Sequence, residues 1–257
     1  YTLRTTLEKY FSFLPVELFF INESEENTEN DEEKVIDVEN TDSADDASDS
    51  DDTEVKQPEA PKPLNDTTPL WLKPAKDCTD DEYKSFYHKV FNDYNDPLFW
   101  IHLNVDYPFN LKGILYFPKL KSAYEPIEGT IKVYYNQVFV ADNVKEILPE
   151  FLMLLKGVID CPDLPLNVSR SFLQNDGYVN KISAHITKKV ADKLNGLFKT
   201  EREDYCKYWD DINPFVKYGC LKDEKFYDKV KDSVIYKSTN GEYFTADEYL
   251  EKYQADK

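Results

Sequence analysis

The chain has 257 residues, 41% hydrophobic and 32% charged, with a formal net charge of −19, a length that allows one large or two modest domains. Residues 23–59 hold 17 acidic and two basic residues, so −15 sits in that tract and −4 in the remainder. A near-neutral body disfavours a DNA or RNA binder, which needs clustered Lys and Arg, and no apolar run approaches the roughly 18 residues that span a membrane.

Residues 2–13 predict a short amphipathic helix, with Leu3, Leu7, Tyr10 and Phe11 at helical spacing. Pro15 ends it, and VELFFI (16–21) reads as a strand. No signal-peptide pattern precedes them. From Asn22 to Leu70 there is no Phe, Trp or Tyr. Such a segment buries too little apolar surface to offset its ordering entropy, so residues 23–68 are expected to be a disordered acidic linker.

Order resumes at Pro69-Leu70-Trp71. Thr79 with Glu82 is a capping box that opens a helix over about 80–92. Strands are predicted at 98–105, 113–118 and 130–140, the last broken as a hairpin near Asn136. Pro149 suits the first turn of a helix through FLMLLKG, and Gly157-Val-Ile-Asp forms another short strand. Beyond it, Val179, Ile182, Ile186, Val190, Leu194 and Leu197 make one helical stripe. Thr200 with Glu203, and Thr245 with Glu248, repeat the capping signature. Strands mixed with helices, then helices alone, predict an α/β unit followed by a helical segment.

Much familiar chemistry has no place in these residues. No two of the seven glycines stand in a GxG spacing, which excludes a Walker loop and a dinucleotide fingerprint. Cys78, Cys161, Cys206 and Cys220 are far apart and form no CxxC, so they read as reduced thiols of a cytosolic protein. His88, His102 and His185 share no ligand spacing with them, and no metal site is expected. The segment DLPLNVSRSFLQ (163–174) stands apart. Arg170 is one of only three arginines and follows Ser169, a good N-cap. A cation in a first helical turn is disfavoured by the helix dipole unless an anion accompanies it, and helix N-termini and guanidinium forks both hold phosphate oxygens. Gln174, four residues on, shares that face. A solvated surface arginine is the competing reading.

These motifs carry a resemblance. PLW (69–71), TDDEYKSFYH, NDPLFW, GILYFP, IKVYYNQVFV, LPEFLMLLKGVIDCPDLPLNVSR and FTADEYLEKY occur in the order found in the ninety-kilodalton heat-shock chaperone family, and together they span residues 69–257. The helix and VELFF before them resemble the end of that family's nucleotide-binding domain. The resemblance implies a chaperone that closes on ATP and Mg2+ as a homodimer and binds unfolded or partly folded client proteins in the cytoplasm. It implies a three-layer α/β/α sandwich, of the type found in second domains of GHKL ATPases, followed by a helical segment.

By the same resemblance, residues 1–22 end the nucleotide domain, 69–165 form the large part of the middle domain, and 166–257 form its helical part. Met153 is the only methionine, so the chain reads as a piece of a longer protein, expected not to hydrolyse ATP alone. Arg170 and Gln174 match the residues that reach the γ-phosphate held by the N-terminal nucleotide domain, with Asn167 and Ser169 supporting the loop. Trp71 and Phe139 match apolar residues that meet clients or the nucleotide domain, whereas a helix anchor and a strand-core residue are their competing readings. The chain departs from the family pattern at Ser171, at Asn136-Gln137 and in a shorter loop over 119–130. Two rival functions stand beside this one: a binding module whose acidic tract docks basic partners, and an unrelated small hydrolase.

Overall fold

A computed structural model describes residues 2–21, 62–120, 129–144, 148–164 and 176–253, and most of the acidic tract lies outside them. The chain divides into two compact units, 1–67 and 68–257.

In the first unit, α1 (Thr2–Phe11) buries none of its residues, and Arg4 pairs with Glu8 one turn on. Residues 16–21, expected as a strand, form no ladder among the described residues. The Leu18 N–H instead donates to Asn65 Oδ1 at 2.7 Å, and the Leu18 carbonyl accepts from the Leu64 N–H at 2.7 Å. The Asn65 amide also donates to the carbonyls of Leu14 and Val16. One buried side chain thus satisfies backbone groups that a neighbouring strand would otherwise take up.

The second unit is built on a five-stranded mixed sheet in the order β1-β2-β5-β3-β4. Its strands are β1 (Phe99–Val105), β2 (Leu111–Phe117), β3 (Thr130–Tyr135), β4 (Val138–Asp142) and β5 (Lys156–Asp160). β5 runs antiparallel to β2 and parallel to β3, which makes the short Gly-Val-Ile-Asp strand the centre of the sheet. β2 and β5 approach closely at Gly113, where an added Cβ would lie 2.3 Å from the Val158 carbonyl oxygen. The β3–β4 hairpin turns at Asn136 and Gln137, with φ of 48° and 64°. Two adjacent residues in the left-handed region give the turn that matches strand twist.

Alternation along the strands feeds two faces. On one lies α2 (Asp80–Phe91), opened by the Thr79–Glu82 capping box. Its Tyr83 stacks on Trp100 and its Tyr87 packs on Tyr116. On the other face lie α3 (Asp176–Thr200), α4 (Arg202–Lys222) and α5 (Glu224–Val230). The six-residue apolar stripe of α3 is buried throughout and joins Phe99, Leu103, Leu115, Phe117 and Ile131 in one core. Such burial contributes about 25 cal/mol per Å² of apolar surface, so the stripe rather than helix propensity holds α3 in place.

Two local expectations are corrected. Pro149 precedes a five-residue 3-10 helix, Glu150–Leu154, not an α-helix, because β5 begins at Lys156. No capping box forms at Thr200, since α3 runs through that residue and its hydroxyl donates to the Gly196 carbonyl at 2.9 Å. α4 starts after Glu201 without a side-chain cap. Downstream, β6 (Tyr236–Lys237) and β7 (Tyr243–Phe244) pair as a small hairpin ahead of α6 (Ala246–Tyr253). The predicted Thr245–Glu248 box is present, with Glu248 Oε2 2.7 Å from the Thr245 nitrogen and Thr245 Oγ1 3.1 Å from the Glu248 nitrogen. All four cysteines are free thiols.

Candidate functional site: the exit of the central strand

The signature-like segment begins where β5 ends, and the ends of that segment are where the described chemistry gathers. Asp160, the last residue of β5, sits in register between Lys112 of β2 and Tyr134 of β3 and is buried. The Asn136-Gln137 turn folds over it, and the Gln137 N–H donates to Asp160 Oδ2 at 3.0 Å. Burial raises the Asp160 carboxyl above the ordinary aspartate range, while bonds from the Gln137 N–H, the Trp71 side chain and the Asn136 N–H pull the other way.

Cys161 follows. Its N–H donates to the Tyr134 carbonyl at 3.2 Å, and its carbonyl accepts from the Leu164 N–H at 3.2 Å. Burial pushes its thiol up to about 12, which leaves it an inert core residue rather than a nucleophile. Cys161 and Leu164 both lie in the main core, so the first residues after β5 are packed down.

A second anchor comes from the β1–β2 connection. Asp163 Oδ2 accepts the Asn110 N–H at 2.7 Å. Next to it, the Phe109 ring meets Tyr178 of α3 edge-on at 6.1 Å and His185 at 5.5 Å. The Tyr178 phenol is pushed up to about 12, first by burial and then by the neighbouring Cys161 and Asp163. One turn, Phe109-Asn110, therefore touches the chain on both sides of residues 165–175.

Asn167, Ser169, Arg170 and Gln174 all lie outside the described residues. Trp71 and Phe139 are described, and both are buried. The Trp71 ring packs against Phe86 and Tyr134 at 5.8 and 5.2 Å, and Phe139 meets the opposite flank of the cluster through Tyr134 at 5.7 Å. As packed here, both rings belong to the unit's own core, and Trp71 ties the segment before α2 to the sheet. Among the described residues, no group of three or more His, Cys, Asp or Glu could hold a metal ion, so these side chains do not fit a magnesium site.

Sequence reasoning passed over Asp160, Asp163 and the Phe109-Asn110 corner. A faint signal was present: Asp160 closes an apolar strand, and a carboxylate at a buried strand end needs donors. The identity of those donors depends on long-range pairing that a single sequence does not display.

Comparison with known proteins agrees with the motifs. The family model described as Hsp90 protein matches residues 2–257. Over 186 residues the chain is 52% identical to the chaperone protein HtpG of Bacteroides thetaiotaomicron, covering 72% of this chain and 27% of that one. It is 52% identical to HtpG of Porphyromonas gingivalis over 76% of this chain and 29% of the relative. HtpG of Alkalilimnicola ehrlichii is 32% identical over 75% and 30%. The chain thus spans less than a third of the length of these relatives. With a family match over nearly every residue and half of the positions identical across three-quarters of the chain, the chain belongs to the Hsp90 family.

Proposed function

We propose that this chain is the middle segment of an ATP-dependent molecular chaperone, and that its contribution to ATP hydrolysis is the guanidinium of Arg170. On this reading the sheet and its two helical faces are the three-layer sandwich of a GHKL-type second domain. ATP and Mg2+ are held by the preceding nucleotide domain, and the protein works in the cytoplasm as a homodimer on unfolded or partly folded clients. Phosphoryl transfer requires little beyond positioning and charge stabilisation. A donated arginine contributes about 10³–10⁵ in rate in other systems. Gln174 supplies an amide beside it, and Asn167 and Ser169 shape the loop.

The observation that supports this reading best is the family match through residues 2–257, which includes the DLPLNVSR segment leaving β5. On this reading the family's apolar contact residues match Trp71 and Phe139, which here pack around Tyr134 in the core.

The test is Arg170→Ala in the intact protein. Steady-state ATPase turnover is expected to fall by at least about 10²-fold, with the thermal midpoint unchanged and ATP still bound. A turnover number equal to that of the unsubstituted protein removes the assigned role.

A further inference from the structure

We infer that His88 is held as an imidazolium and serves as a proton-operated latch on the turn between α2 and β1, closed while both ring nitrogens carry protons. α2 ends on Asn92, whose left-handed φ of 49° turns the chain back, and the Asn92 N–H donates to the His88 carbonyl at 2.9 Å. The turn that follows brings two acceptors to the His88 ring. Nδ1 meets the Asp93 carbonyl oxygen, and Nε2 lies 2.9 Å from Asp96 Oδ1. A carbonyl and an ionised carboxylate only accept, and a neutral imidazole has a single N–H. In either neutral tautomer one of these contacts therefore sets lone pair against lone pair. Only the doubly protonated ring satisfies both.

The charged groups around the ring agree with a cation there. Lys84, one turn back on α2, bonds Asp96 Oδ2 at 2.9 Å and with His88 holds that carboxyl below its usual range. The Asp93 carboxylate is taken by Lys156 of β5 and by the Tyr87 hydroxyl, so what Asp93 offers the ring is its carbonyl. The Tyr87 ring meets the imidazole edge-on at 5.8 Å. His88 also occupies the last turn of α2, where the helix dipole favours a cation. The Asp93 carbonyl and then the Asp96 carboxylate raise the ring above the ordinary histidine range, with burial opposing. His102 and His185, the chain's other two histidines, are shifted downward by burial.

A raised folded value makes the latch contribute fully below 6.5, the unfolded value, and lose its contribution as pH rises through the folded one. Loss of one proton leaves the ring a single donor for two acceptors. Lys84 still holds Asp96 and Lys156 still holds Asp93, so the turn loosens while α2 stays on the sheet.

The test is nitrogen NMR of the histidine rings in the full 257-residue chain, titrated from pH 5 to pH 9 with His102 and His185 as internal references. His88 is expected to show two N–H groups at pH 6 and to titrate at a higher pH than either reference. Asp96→Asn should bring its midpoint down toward theirs. Amide exchange across residues 93–96, corrected for its intrinsic pH dependence, should be about two- to fivefold faster above the midpoint than below it, the scale of an exposed charged pair. His88→Gln keeps one donor and should lose that step. A single N–H at pH 6, or a midpoint no higher than those of the references, overturns the latch. An exchange step of equal size in His88→Gln overturns it too, since another group then supplies the step. If His88→Gln fails to fold, the titration of the unsubstituted chain decides alone.

Discussion

The two ends of β5 hold buried carboxylates in opposite ways. At its start, Lys156 reaches across the sheet to Asp93, with Nζ 2.6 Å from Oδ2. The Tyr87 hydroxyl donates to the same oxygen at 2.9 Å, and the Asn95 N–H donates to the other. Burial works against the Asp93 charge, but the Lys156 ammonium and these donors outweigh it and hold the carboxyl far below its usual range. At the far end, Asp160 takes the Gln137 N–H and has no cation within bonding distance among the described contacts, and burial wins. A full counter-charge offsets desolvation, whereas neutral dipoles offset only part of it. The first arrangement is a staple that holds α2 to the sheet. The second sits under the β3–β4 hairpin and holds its turn through the Gln137 N–H.

Removing the cation breaks this comparison at its strongest point. Lys156→Met leaves Asp93 buried and ionised without its counter-charge, and a broken buried pair costs about 3–5 kcal/mol. Urea unfolding of the unit is expected to show that loss. Adding Asp93→Asn to the same protein should return most of it, because no charge is then stranded. A loss below about 1 kcal/mol in the single variant contradicts the staple.

Acid titration sharpens the contrast through its sign. The lowered pKa of Asp93 means that its contribution is present above the unfolded value near 3.8 and is lost as pH falls below that value. The raised pKa of Asp160 means that the ionised form is penalised, so its contribution is largest in acid and declines as pH climbs from 3.8 through the folded pKa. Measured by urea unfolding from pH 3 to pH 7, Asp93→Asn should cost more at the neutral end. Asp160→Asn should be closest to neutral, or stabilising by about 1 kcal/mol, at that same end. Parallel pH profiles for the two variants would show that the ends of β5 do not differ as described.

What the sequence displayed and what it withheld follow the same division between local and distant causes. The α3 stripe was legible because Val179, Ile182, Ile186, Val190, Leu194 and Leu197 repeat at the helical period, and all six are buried. The Thr79 and Thr245 caps were legible because each bonds within three residues. Thr200 carried an equal signal but lies in the last turn of one helix with the next beginning two residues on, so its hydroxyl is spent on Gly196. VELFFI had strand composition but found Asn65, 47 residues away from Leu18, in place of a strand partner. The bond from the Asn110 N–H to Asp163 spans 53 residues, and no periodicity announces a bond of that span. Arg170 stood out by rarity and by its match to a family motif, which are properties of the sequence alone.

The smallest expected effect tests the opposite extreme from the Lys156–Asp93 pair, an ion pair in water. Arg202 meets Glu248 at 2.8 Å with side chains 30% and 45% exposed, and its guanidinium covers the Phe198 ring at 4.2 Å. Glu248 also caps α6 through the Thr245 N–H. The two duties separate cleanly. Thr245→Ala removes the hydroxyl that accepts the Glu248 N–H and should cost about 1 kcal/mol of local helix stability, read as faster hydrogen exchange across Ala246–Tyr253. Glu248→Gln keeps an acceptor for the Thr245 N–H and loses only the charge. Exposed pairs are worth about 0.2–1 kcal/mol and are screened by salt, so Glu248→Gln should change α6 exchange less than Thr245→Ala does. Its effect should vanish in 1 M salt. If the charge substitution proves the more damaging of the two, or keeps its effect at high salt, then the Arg202–Glu248 pair behaves as a buried one and burial is not what distinguishes it from Lys156–Asp93.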